Sequence, residues 1–169
     1  RILTDNLMHK TRGETTRRYV REIRPRLESA YDWEFAIVAG AGGRQFLESD
    51  VPTALFAIVT RYYQLLGDFV TQVVRKRYIE GLSPVETSHF RSFLSDQEPA
   101  HPEISGVSDW TRTKLSTVTV RMLREAGIVT KTSEKAAQPP MSEALRAKYC
   151  DEGQREDYGH LLWTDEEVQ

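Results

Sequence analysis

The stretch HPEISGVSDWTRTKLSTVTVRMLREAGIV, residues 101–129, decides the fold reading. It contains a short helical turn, a polar turn, one long helix, a stop at Gly127 and an apolar exit. That is the layout of a helix-turn-helix whose second helix leads into a wing. In the long helix Leu115, Val118, Met122, Leu123 and Ala126 recur at helical spacing and predict a core face. Thr111, Lys114, Thr117, Arg121 and Arg124 fall largely on the other side. An apolar back with a basic, hydroxyl-bearing front suits a DNA major groove. A solvated helix face has the same composition, so the sequence supports both readings.

Outward from this helix the punctuation stays helical. Upstream, Ser83-Pro84-Val85-Glu86 predicts a helix start, with serine as cap, proline at the first position and glutamate three residues after the cap. That helix carries Val85, Phe90, Phe93 and Leu94 and should end near Asp96. Downstream, Ile128-Val129-Thr130 leaves room for a small wing before Gln138-Pro139-Pro140, although the strand signal is weak. A short helix over 141–149 comes next, and then an acidic tail with Leu161, Leu162 and Trp163 as an anchor.

The middle of the chain is the most apolar. Asp50-Val51-Pro52 predicts a helix start with Asp50 as cap. From there to Ile79 apolar residues occupy nearly every face, which places the segment inside a bundle, with Gly67 as a point of division. Leu66, Phe69 and Val73 are expected to be buried. Residues 31–40 read as a short apolar helix stopped by glycines. The run Ala39-Gly40-Ala41-Gly42-Gly43 lacks the Lys-Ser/Thr ending of a phosphate loop and reads as a turn.

The front of the chain is basic. Residues 1–9 read as the end of a helix, so an upstream segment is expected. Thr11 and Glu14 fit a capping box that opens a second helix, in which Thr16, Val20, Ile23 and Leu27 recur on one side and Pro25 forms a kink or break. The net charge of -2 hides an asymmetry. Arg1, Lys10, Arg12, Arg17, Arg18, Arg21, Arg24 and Arg26 outnumber the acids of residues 1–30. Asp151, Glu152, Glu156, Asp157, Asp165, Glu166 and Glu167 dominate the far end, where a solvated surface is the simplest reading.

The chain has 169 residues, 39% hydrophobic and 28% charged, which suits a folded domain and not a disordered one. Cys150 is the only cysteine, so no internal disulfide is possible and a reducing compartment is expected. The longest apolar run is far shorter than the roughly 20 residues of a membrane span. His9, His89, His101 and His160 are scattered and form no metal-ligand spacing with one another or with Cys150. No nucleophile has a neighbouring base, so no catalytic residue, metal or cofactor is expected.

The segments LLGDFVTQVVRKRY (65–78), SDWTRTKL (108–115), MLREAGIV (122–129) and QPPMSEALRAKY (138–149), with NLMHKTRGETTRRYVREIRPRLE (6–28), resemble the BrxA family of BREX phage-defence systems in order and spacing. The resemblance covers nearly the whole chain. It implies an all-helical cytoplasmic protein with two helix-turn-helix elements and DNA-binding ability. Such a protein works as a core accessory beside a methyltransferase, an ATPase and a phosphatase-like partner. Carried over by position, it places one DNA-contacting helix on Thr15, Thr16, Arg17, Arg18 and Arg21. The second falls on Trp110, Thr111, Arg112, Lys114 and Arg121. Arg12 and Thr117 are also expected to contact DNA, Thr117 from the front of the long helix.

The expectation is therefore an all-α compact bundle with two helix-turn-helix elements, the second winged-helix-like with at most a small wing. Residues 1–30 form the first element, 31–82 the buried helical core, 83–138 the second element, and 139–169 the short helix and acidic tail. The expected function is non-enzymatic binding of double-stranded DNA, mainly through phosphates, as a monomer that also contacts other BREX subunits and no membrane. Two alternatives stand beside it: a scaffold that docks other defence subunits, and a transcriptional regulator. The regulator would need a dimer interface, and no spare apolar stripe demands one.

Overall fold

The computed structural model describes residues 13–82, 84–130, 134–164 and 166–167, without the side chains of 13–16. Residues 1–9, expected to end a helix, lie outside it, as does Arg12. The fold is all-α. Helices α1 (Gly13–Leu27), α2 (Asp32–Val38), α3 (Asp50–Tyr62) and α4 (Gln64–Phe69) lead into a π-helical turn (Val70–Val74) and α5 (Arg75–Ile79). After these come α6 (Thr87–Gln97), a 3-10 turn (Pro102–Ile104), α7 (Asp109–Glu125), α8 (Glu143–Glu152) and α9 (Arg155–His160). Among the described residues the only β-pairing is an isolated antiparallel bridge between Val129 and Ala136.

The central segment is buried as its apolar composition predicts, but it is not one helix. It breaks at Tyr63, whose carbonyl accepts from the amides of Leu66 and Gly67, and not at Gly67. Gly67 serves a different purpose: a Cβ there would lie 2.6 Å from His160 Nε2 and 2.9 Å from the Thr60 carbonyl. In the π turn the Arg75 amide reaches back five residues to the Val70 carbonyl. This wider turn holds one more residue than an α turn and shifts the register of α5. Leu66, Phe69, Val70 and Val74 face inward, whereas Val73 stands half-buried at the rim.

Two apolar clusters result. The first joins Phe69, Val70 and Val74 to Phe90, Phe93 and Leu94 of α6 and to Leu123, Ile128 and Val129. Phe69 meets Phe90 edge-to-face at 4.9 Å between ring centres. The second joins Ile37, Ala54 and Ala57 to Leu145, Tyr149, Leu161 and Trp163. Leu162 lies in the first cluster, so consecutive residues after α9 tie both together. The far end is anchored as expected, with Leu161, Leu162 and Trp163 fully buried. Asp151, Glu152, Glu156, Glu166 and Glu167 are exposed, whereas Asp157 departs from the solvated reading and is fully buried.

Asp157 belongs to a buried ionic network that also holds Glu34 and Arg61. The Arg61 guanidinium donates to both Glu34 oxygens at 3.0 Å, to Asp157 Oδ1 at 2.8 Å and to the Ser29 carbonyl at 2.9 Å. Tyr149 donates to Glu34 at 2.8 Å and Tyr31 to Asp157 at 2.9 Å, and the backbone amides of Tyr31 and Gln154 complete the carboxylate shells. Burial works against the Arg61 charge, but hydrogen bonds and attraction from Glu34 and Asp157 outweigh it and hold the guanidinium charged. Burial, followed by the bond to Asp157, pushes the Tyr31 hydroxyl up to about 12.

Two expected helix starts are differently made. The Asp50 carboxylate accepts from the Ser142 amide and hydroxyl and from the Leu47 amide, so it anchors the start of α8 as well as the turn before α3. The predicted start at 83–86 falls later, with Glu86 capping α6 through a box with His89. Val85 lies outside the helix instead, and its amide donates to the Glu134 carbonyl at 2.8 Å.

His160 is buried against Gly67, and its Nδ1 has no hydrogen-bond partner. Burial pushes its pKa down, against the pull of Asp157, Glu156 and Asp68 and with the help of Arg61. The folded state therefore favours the neutral ring. The associated stability is fully present above the ordinary histidine pKa near 6.5 and is lost as pH falls below it. A His160→Gln variant should show a smaller drop in melting temperature than the parent between about pH 7 and 5.5. Equal drops would assign the acid sensitivity to other groups.

Candidate nucleic-acid interface

Helix α7 is delimited by local chemistry. Ser108 caps it, its hydroxyl accepting from the Thr111 amide at 3.3 Å and lying 3.0 Å from the Thr111 hydroxyl. Gly127 ends it at φ +77, in the left-handed region, and a Cβ there would also lie 2.6 Å from Pro140 Cδ.

The inward face of α7 keeps Leu123, Ala126 and the half-buried Met122 of the stripe that apolar spacing predicts, but not Leu115 and Val118. Ser116, Thr119, Val120 and Leu123 are buried in the helix, and Ala126 just after it. Leu115 is 41% exposed and Val118 52%. The hydroxyl of Ser116 donates to the Arg112 carbonyl at 2.7 Å, so this small polar residue enters the interior without an unpaired donor. The core stripe is thereby rotated away from Leu115 and Val118.

This rotation decides the fate of Arg112. Its guanidinium donates to the carbonyls of Ile104 at 2.6 Å and Val107 at 2.9 Å, and pairs with Glu98 at 2.7 Å. The side chain is only 12% exposed. Arg112 therefore ties the 3-10 turn and the end of α6 to α7, and does not stand on the outer face with the expected DNA contacts. Thr111 is likewise half-buried and engaged in the cap.

The other expected residues do come together. Trp110, Lys114, Thr117 and Arg121 form one exposed row along α7. Trp110 is 68% exposed, and Lys114 Nζ lies 4.1 Å from its ring centre. Arg121 pairs with Glu125 at 2.8 Å on the exposed surface, a bond weak enough to exchange for a phosphate. Thr113 also stands on this face, absent from the expected set although its spacing before Thr117 marks it. The Thr113 and Thr117 hydroxyls each donate at 2.9 Å to the helix, to the carbonyls of Asp109 and Thr113.

Helix α1 presents Arg17, Arg18 and Arg21 to solvent, as its pattern predicts. Arg18 pairs with Glu22 at 2.8 Å. Arg17, Arg21 and Arg24 line one shallow groove beside Val20 and Pro25. Pro25 is contained within α1 and does not end it. Arg26 anchors the helix end, donating to the Tyr63 hydroxyl at 2.6 Å. Thr15 and Thr16 lie in the helix, with their side chains outside the described residues.

Among the described residues, no three His, Cys, Asp or Glu side chains gather in a way that could hold a metal ion. No described helix is long and apolar enough to cross a membrane.

The molecule is thus an all-helical protein that carries a basic, aromatic-edged helix face on a body built around a buried ionic network. A family model described as BrxA matches residues 1–150. The chain belongs to the BrxA family, and so to the components of BREX phage defence. No curated protein matches it.

Proposed function

We propose that this chain is a non-catalytic, double-stranded-DNA-binding accessory protein of a BREX system. In this reading it acts in the cytoplasm as a monomer, alongside other BREX subunits. The observation that carries it is the exposed row Trp110, Lys114, Thr117 and Arg121 on a helix anchored from behind by Val120 and Leu123. The surrounding order supports a winged helix-turn-helix. The buried helical segment, the non-helical Val85, α6, the 3-10 turn and α7 succeed one another in sequence. The Val129–Ala136 bridge then returns beside Val85 through Glu134. In such a unit the second helix enters the major groove, and α1 supplies further cations to the backbone.

If Arg17, Arg18, Arg21, Lys114 and Arg121 each neutralise one phosphate, log affinity for a duplex should fall against log salt with a slope of about -4.5. Reversing Lys114 and Arg121 to Glu should weaken binding to all sequences and flatten the slope by about 2. Reversing Arg17 and Arg21 should do the same for α1. An unchanged slope in either double variant removes that helix from the DNA.

A second reading is favoured by the exposure of Leu115 and Val118, three residues apart on α7. These form an apolar edge that could dock another defence subunit. Duplex binding that is absent, or insensitive to salt, would favour this scaffold role.

A further inference from the structure

We propose that α7 recognises the 5-methyl group of pyrimidines in the major groove, and that thymine is its source. The inference rests on the DNA-binding reading above and concerns what the helix reads once seated. A purine offers acceptors in the major groove, N7 and O6 of guanine and N7 of adenine, which need donors from the protein. Thymine adds a methyl group, which needs apolar contact.

The hydroxyl groups at the middle of the exposed row are not available as donors to bases. The hydroxyl hydrogens of Thr113 and Thr117 are directed at the carbonyls of Asp109 and Thr113, both at 2.9 Å. Each threonine then adds a methyl group to the face without a free donor. The cations flank this cluster: Lys114 sits over Trp110, and Arg121 lies one turn beyond Thr117. Cations at the margins suit phosphates, and methyls at the centre suit a 5-methylpyrimidine.

The test compares two duplexes of identical sequence, one built with thymine and one with uracil. The uracil duplex keeps every phosphate and every Watson–Crick pair and lacks only the methyls. Its Kd should rise about fourfold for each methyl contacted, the effect of burying one such group, while the salt slope stays the same. The double variant Thr113→Ser, Thr117→Ser removes the protein methyls and keeps the hydroxyl bonds to the helix. Its Kd ratio between the two duplexes should fall toward one, with melting temperature and salt slope retained.

Equal affinity for both duplexes with a steep salt slope overturns the methyl reading and leaves DNA binding standing. A ratio that persists in the double-serine variant also overturns it, since the preference then comes from duplex shape. Absence of duplex binding removes the DNA-binding reading itself. Replacing the contacted T·A pairs by 5-methylcytosine·G, with unmethylated C·G at the same positions as control, separates the two sources of the group. Methylcytosine that binds as tightly as thymine overturns the assignment to thymine alone, and no gain over unmethylated cytosine supports it.

Discussion

Arg61→Ala should destabilise the fold by about 3–5 kcal/mol, the cost of leaving a buried charge without its partner. Glu34 and Asp157 are both fully buried, and Arg61 is the guanidinium that both carboxylates share. Its loss leaves two carboxylates facing each other, with only neutral donors from Tyr31, Tyr149 and the backbone. For a chain of this size the change corresponds to a melting temperature lower by about 6–20 °C. The combined variant E34Q, R61M, D157N leaves no buried charge and should recover much of that loss. A cost below about 1 kcal/mol for Arg61→Ala would mean that the network behaves as a surface ion pair.

Phe69→Ala should cost a similar amount, about 3–5 kcal/mol, for a different reason. The ring is fully buried and packs against Phe90 and Phe93, so truncation removes apolar burial and leaves a cavity between α4 and α6. Denaturant unfolding should show a lower midpoint with an unchanged slope. Because Leu161, Leu162 and Trp163 link the two clusters, both variants should shift one common transition. Separate transitions would show that the clusters unfold independently. A loss below about 1 kcal/mol for Phe69→Ala would place this helix at the solvent face.

The two substitutions differ in how visible their targets are along the chain. Phe69 lies in a continuous apolar run whose burial is a consequence of composition, and Leu66 beside it is buried in the same way. Glu34, Arg61 and Asp157 carry the signature of surface residues. Arg61 lies 27 positions from Glu34 and 96 from Asp157, and no local pattern connects them. The candidate interface is divided similarly. Trp110, Lys114, Thr117 and Arg121 share a helix face at a spacing that can be read directly. Arg112 has the same chemistry as Arg121 but is turned inward, because the carbonyls of Ile104 and Val107 and the carboxylate of Glu98 meet it there.

Local chemistry settled the elements whose causes lie within a few residues. The cap at Ser108, the glycine stop at Gly127, the apolar run around Phe69 and the Arg17-Arg18-Arg21 cluster each depend on neighbours in the chain. Capping, periodicity and charge spacing act at that range. Tertiary structure decided where polar groups could be buried. It made Ser116 and Thr119 part of the α7 core, turned Arg112 inward, drew Asp157 into the buried ionic network and set Val85 beside Glu134. The physical reason is that burying a charged group is costly unless its hydrogen bonds are met, and for Glu34, Arg61 and Asp157 the partners arrive from distant parts of the chain.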